Sequence, residues 1–173
     1  MTSNFILGLF LFLSCDAFCQ DIFEIARNGE LEDLRAYNEA HPNKLNDLND
    51  QGYTPLMLAA YHGNLETAAY LAKNGANLNG ESKYGTPVMA AAIKGNYEIV
   101  SLLLSQGADL NKADSNGTTA LLYASIFSLN EIASLLLIGG ADSKRKDSRG
   151  NSALDYAILS KNETLIKLLN THQ

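Results

Sequence analysis

Cysteine is almost missing from this 173-residue chain: it has two, Cys15 and Cys19, and both fall within the first nineteen residues. Beyond that point no disulfide and no thiol nucleophile is available. Histidine is nearly as scarce. His41, His62 and His172 stand far apart, with no pair at ligand spacing along a helix, so a zinc site is not expected. No serine sits beside a histidine and an acid in a recognisable arrangement, and no glycine-rich phosphate loop is present. Neither catalysis nor any cofactor is therefore expected. No Pro- or Ser-rich linker divides the chain, which reads as one domain after residue 19. Positive charge is in the minority, 13 basic against 19 acidic groups for a net −6. That balance argues against nucleic acid as a partner, because phosphate attraction supplies most of that affinity.

What the chain does have is repetition. Gly52-Tyr-Thr-Pro-Leu-Met-Leu-Ala-Ala60 is echoed from Thr86, Thr119 and Ser152, at successive spacings of 32, 33 and 33 residues. A second phrase keeps the same beat at Gly75-Ala76-Asn77, Gly107-Ala108-Asp109 and Gly140-Ala141-Asp142. A fixed period of this length means stacked small units, each burying its apolar face only against its neighbours. Within each unit Thr or Ser can cap a first helix, and Pro55 and Pro87 suit the first helical position. Ala59, Ala60, Ala91, Ala92 and Ala124 permit close helix packing. The second helices carry clusters such as Ile99, Val100 and Leu103, too apolar for solvent. Asp114-Ser-Asn-Gly117 and Asp147-Ser-Arg-Gly150 read as turns at the tips of protruding fingers. Asp109, Asp114, Asp142 and Asp147 are expected to bond their own backbone as turn residues rather than calcium. The unit containing Thr86 is one residue short between its glycine phrase and its cap, so its finger should be tighter or tilted. Asp21–Ala40 reads as a degenerate first unit, with Asn28-Gly29 at its inter-helix turn.

Period and phrases together resemble the ankyrin repeat, whose Thr-Pro-Leu-His-x-Ala signature opens the first of two helices. The histidine of that signature is replaced by Met57, Met89, Leu122 and Asp155, so the hydrogen bonds it makes in the family must be absent or replaced. The resemblance implies an all-α solenoid of about five helix-turn-helix units with short β-hairpin-like fingers. The expected segments are 20–46 as an N-terminal capping repeat, 47–79, 80–111 and 112–144 as repeats, and 145–173 as a C-terminal capping repeat.

Residues 1–19 form a separate segment, expected to be a secretory signal. Phe5–Leu13 is an unbroken apolar run, too short for a bilayer span of about 20 residues. Ala17-Phe18-Cys19 offers small residues where a signal peptidase reads. Cleavage there leaves Gln20 at the start of the first unit and, with 13 basic and 18 acidic groups, a charge of −5. The alternative is a lipoprotein anchored through Cys15. The expected location is periplasmic or secreted, with no stable membrane span.

The resemblance also implies where a protein partner sits: on a concave face of finger tips and first-helix ends. Carried onto this chain, the finger positions include Tyr53, Lys83, Tyr84, Asn116, Thr118 and Arg149. The helix positions are Tyr61, His62, Ile93, Lys94, Ile126, Phe127 and Leu159. Tyr61, Ile93, Ile126, Phe127 and Leu159 would form an apolar ladder of the kind that marks an interaction surface. Against this, Ile126 and Leu159 could simply close the packing between the last units. Tyr123 and Tyr156 read as core. The resulting expectation is a monomeric, non-catalytic binder of an envelope or periplasmic protein, acting as an inhibitor or immunity protein. The alternatives are a secreted effector that binds a host or prey protein, and an enzyme. Expression in a Gram-negative host, followed by fractionation and intact-mass measurement, is expected to give a periplasmic protein beginning at Gln20. A lipid-bearing Cys15 selects the lipoprotein alternative, and an intact Met1 in the cytosol overturns export.

Overall fold

Helix-forming stretches alternate with glycine turns along the whole described chain, and each pair of helices folds into a hairpin. The computed structural model describes residues 21–82 and 85–172. The proposed signal segment, Lys83 and Tyr84 lie outside them. Among the described residues there are ten helices in five pairs. They are α1 (Ile22–Asn28) with α2 (Leu31–Ala40), α3 (Pro55–His62) with α4 (Leu65–Lys73), and α5 (Pro87–Lys94) with α6 (Tyr97–Ser105). The last two pairs are α7 (Ala120–Ile126) with α8 (Asn130–Ile138) and α9 (Ala153–Leu159) with α10 (Glu163–Thr171). The odd-numbered helices pack on one another as an inner layer, and the even-numbered helices stack behind them as an outer layer. No helix among the described residues is long and apolar enough to cross a membrane.

The helix starts follow from their caps. The hydroxyl of Thr54 accepts the Met57 N–H at 3.2 Å, and that of Thr119 accepts the Leu122 N–H at 3.4 Å. Ser152 and Asp155 form a reciprocal capping box, with the Asp155 carboxylate accepting the Ser152 N–H at 2.8 Å. Thr86 departs from the expected pattern. It holds the same position, but its side chain caps nothing and its hydroxyl is buried without a partner. Gly29, Gly63 and Gly95 close α1, α3 and α5 in the left-handed conformation. The corresponding residues of the last two units are Ser128 and Lys161, at φ 56° and 54°. A side chain there costs about 1–2 kcal/mol relative to a right-handed residue.

Between units the core is built from small residues. Ala59, Ala91, Ala124 and Ala157 are fully buried, and so are Ala60, Ala92 and Ser125 one residue on. The fifth unit breaks the second row: Ile158 stands there, 53% exposed. Met57, Met89 and Leu122, which replace the signature histidine, are buried and pack as hydrophobes.

Asparagine side chains supply the polar stitching. Asn64 donates to the carbonyls of Ala26 and Arg27 at 2.8 and 2.7 Å, and Asn96 to those of Ala60 and Tyr61 at 2.8 and 3.3 Å. Leu129 takes this place in the fourth unit, and Asn162 then bonds Asn130 at 2.7 Å. A second row runs through the loops after the outer helices. The Asn46, Asn79 and Asn111 carbonyls accept from the N–H groups of Asn77, Asp109 and Asp142 at 2.6, 2.8 and 2.8 Å. Each link crosses from one unit to the next, and the first row closes the last carbonyls of α1 and α3 from the neighbouring unit.

Fingers project ahead of α3, α5, α7 and α9. In three of them an Asx side chain at the first position, Asn49, Asp114 or Asp147, accepts two backbone N–H groups of its own turn. The finger ahead of α5 is the tighter one that its missing residue implies. Ser82 and Gly85 exchange both backbone hydrogen bonds at 3.0 Å, across a gap of two residues.

The two threonine caps should respond oppositely to the same change. Thr54→Val loses a cap bond and should cost about 1 kcal/mol. Thr86→Val removes an unpartnered buried hydroxyl, worth about 1–3 kcal/mol, and should be neutral or stabilising. Urea denaturation of the two variants checks this; an equal loss in both refutes the difference in capping.

Candidate functional site

The inner helices end, in register, on the side that faces the fingers. Counting from each cap, one position carries Tyr61, Ile93, Ile126 and Leu159, and the next carries His62, Lys94, Phe127 and Ser160. Tyr61 is 41% exposed, Ile126 37%, Phe127 51% and Leu159 71%, while Ile93 is half-buried. The structure thus brings the apolar row to the surface. Leu159, which could have closed packing in the last unit, is instead its most exposed member. The Lys94 ammonium lies 4.9 Å from the centre of the Tyr61 ring, a cation–π distance. His62 meets the same tyrosine edge-on at 5.4 Å. Phe127 stacks along Tyr123, with ring centres 6.4 Å apart.

The finger residues divide. Asn116 and Arg149 are exposed at their tips, while Tyr53 is half-buried and packs on the core. Thr118 corrects the sequence expectation: it is only 6% exposed. Its N–H bonds the Asp114 carboxylate at 2.9 Å and its carbonyl accepts the Asp114 N–H at 3.0 Å, which turns the residue into the stack rather than towards a partner. Lys83 and Tyr84 lie outside the described residues.

Fingers and inner helices enclose a hollow of about 610 Å³. Met57, Leu58, Ala90 and Ile93 give it an apolar wall, with Tyr53, Tyr61 and Tyr123 around them. Arg27, Gln51, His62, Asp114 and Asn116 are its polar margin. The volume lies inside the range of about 300–1,000 Å³ usual for sites that enclose a ligand group. Its cause is Ala90. The equivalent residues of the other units are Leu58, Tyr123 and Tyr156, so the third unit alone leaves this space unfilled. Sequence reading passed over Ala90, Met57, Leu58 and Arg27. The available signal was the break in that row, one alanine among larger side chains.

The far wall is held by a hydrogen bond. The Tyr123 hydroxyl donates to Asp114 at 2.6 Å, and Tyr156 donates to Asp147 in the same way one unit later. Tyrosine thereby fastens the last two fingers to their own helices. Burial, and then the bond to Asp114, push the Tyr123 phenol well above its ordinary value of 10.0, so it remains a protonated donor. The Tyr156 hydroxyl holds the Asp147 carboxyl below its ordinary 3.8, aided by the N–H groups of Asn151 and Arg149. Asp109 and Asp142, like Asp114 and Asp147, accept N–H groups of their own turns. Among the described residues no cluster of three or more His, Cys, Asp or Glu could hold a metal ion.

The Asp147 shift predicts an acid dependence. A depressed carboxylate contributes stability that is present above its unfolded value, near 3.8, and lost as pH falls through the folded one. The difference in urea midpoint between wild type and Tyr156→Phe should therefore be full above about pH 4 and shrink below it. A difference that does not change with pH would show that the bond does not act on the ionised carboxylate.

A sequence model described as ankyrin repeats (3 copies) matches residues 22–114 and 107–173. No curated protein matches the sequence. The match spans every described helix pair, in agreement with five stacked hairpins and their fingers. Ankyrin repeats are generally protein–protein interaction modules and typically non-catalytic. This chain belongs to the ankyrin-repeat family.

Proposed function

We propose that the protein is an exported binder that holds one envelope or periplasmic protein in the groove between its fingers and inner helices, and acts by covering it. The observation that carries this reading is the exposed row of Tyr61, Ile126, Phe127 and Leu159 beside an apolar hollow of about 610 Å³. Large side chains left in water along one face have no role in the stack itself. Aromatic anchors that enter or line pockets commonly carry most of an interface's energy. The apolar segment 5–13 and the absence of cysteine after residue 19 support the exported location. A protein that covers its partner without chemistry of its own suits an inhibitor or immunity role, with a hydrolase as the concrete case.

A photo-crosslinking residue at position 127 should link one envelope protein, and the same residue at Glu98 on the outer layer should not. That protein, once purified, should bind the wild type and lose activity on binding. Tyr61→Ala combined with Phe127→Ala should weaken binding by tenfold or more, since hot-spot truncations cost about 2 kcal/mol or more. Equal crosslinking from both faces, or binding indifferent to the double variant, overturns the proposal.

A further inference from the structure

Among the described residues, the unengaged charge that lines the hollow is opposite in sign to the net charge of the chain. Four glutamates occupy the same position on successive outer helices: Glu32, Glu66, Glu98 and Glu131, all exposed. They give the back of the stack a negative stripe, in keeping with the net −6. The hollow on the front differs. Arg27 lines it, Lys94 stands over the Tyr61 ring at its margin, and neither belongs to an ion pair among the described residues. Among the described residues the one carboxylate in its lining is Asp114, which is fully engaged. One oxygen accepts the N–H groups of Asn116 and Thr118, and the other accepts the Tyr123 hydroxyl. Asp50 sits next to Gln51 in sequence but does not line the hollow. The unmatched charge around this apolar space is therefore positive.

We propose that the hollow takes an aliphatic or aromatic side chain from an acidic segment of the partner protein, with carboxylates beside that anchor meeting Arg27 and Lys94. This rests on the groove reading above and specifies the partner's chemistry. The apolar wall of Met57, Leu58 and Ala90 excludes a purely charged occupant. A basic segment would bring like charges against two cations and leave them without partners. The outer glutamate stripe acts in the same sense: it repels an acidic segment from the back of the stack and favours encounters at the front. Complementarity of this kind shows in association rate and in salt dependence.

A random peptide library displayed on phage and selected against the purified protein tests this directly. Enriched peptides are expected to carry Asp or Glu next to Leu, Ile, Phe or Tyr, and their binding should weaken as salt is raised. Arg27→Glu with Lys94→Glu should reduce their affinity at least tenfold. Ala90→Leu, which fills the hollow with the residue that the preceding unit already carries, should do the same without changing charge. Ser105→Ala at the end of the outer helix α6 should leave binding within about twofold, as expected of an uncharged site outside the contact. Enriched peptides with no excess of acidic residues overturn the inference. So does acidic-peptide binding that survives Ala90→Leu, or a library that yields no peptide preferring wild type over the Arg27/Lys94 variant. If a partner crosslinks at position 127 while the selected peptides are not acidic, the groove reading stands and this inference alone falls.

Discussion

The three middle units of this stack meet their neighbours across paired side chains no larger than alanine or serine. Ala59 and Ala60, Ala91 and Ala92, and Ala124 and Ser125 are fully buried, and their size lets neighbouring inner helices come close enough to bury everything between them. The rest depends on that approach. It aligns the helix ends so that positions 61, 93, 126 and 159 fall in one row. It also brings each asparagine side chain within reach of the preceding unit's carbonyls. A larger residue in the seam would pry two units apart, break the stitching bonds and disturb the groove together, because interiors packed at this density have nowhere to absorb an added methylene.

The fold was legible because one phrase kept register over four units and a second over three, and because caps and turns depend on local chemistry. Thr54, Thr119 and Ser152 act as their types suggest, and Asp114 and Asp147 bond their own turns. The short finger followed from a missing residue. The stitching was less legible. Nothing in the residue type of Asn46, Asn79 and Asn111 marks them out, and only the stacked geometry shows that each reaches a neighbouring loop. Thr86 and Thr118 failed for a related reason. Whether a hydroxyl finds an acceptor, or a finger residue faces in or out, depends on contacts more than one repeat away. The hollow was hardest to foresee, since it arises from what Ala90 lacks.

The groove is also built unevenly. On the side of the fourth and fifth units, the Tyr123 and Tyr156 hydroxyls donate to aspartates at the finger bases, and burial keeps the Tyr123 phenol protonated. The second and third units carry Leu58 and Ala90 instead, which offer no such bond. One wall of the hollow is thus anchored by polar contacts and the other is shaped by apolar packing. A bound segment would find fixed donors and acceptors on one side and an adaptable hydrophobic surface on the other. That combination suits recognition of an anchor side chain together with polar neighbours.

Ile158 has a consequence of a different kind. A solenoid whose last apolar face lies open is, in polymer terms, a growing end: another copy could add to it, and another to that. The seam admits a new helix only where the slot holds a residue the size of Ala60, Ala92 or Ser125. Ile158 fills that slot with a branched side chain. A regular neighbour, whether a further unit or a second copy, would have to displace that side chain to take the seat that its smaller counterparts offer.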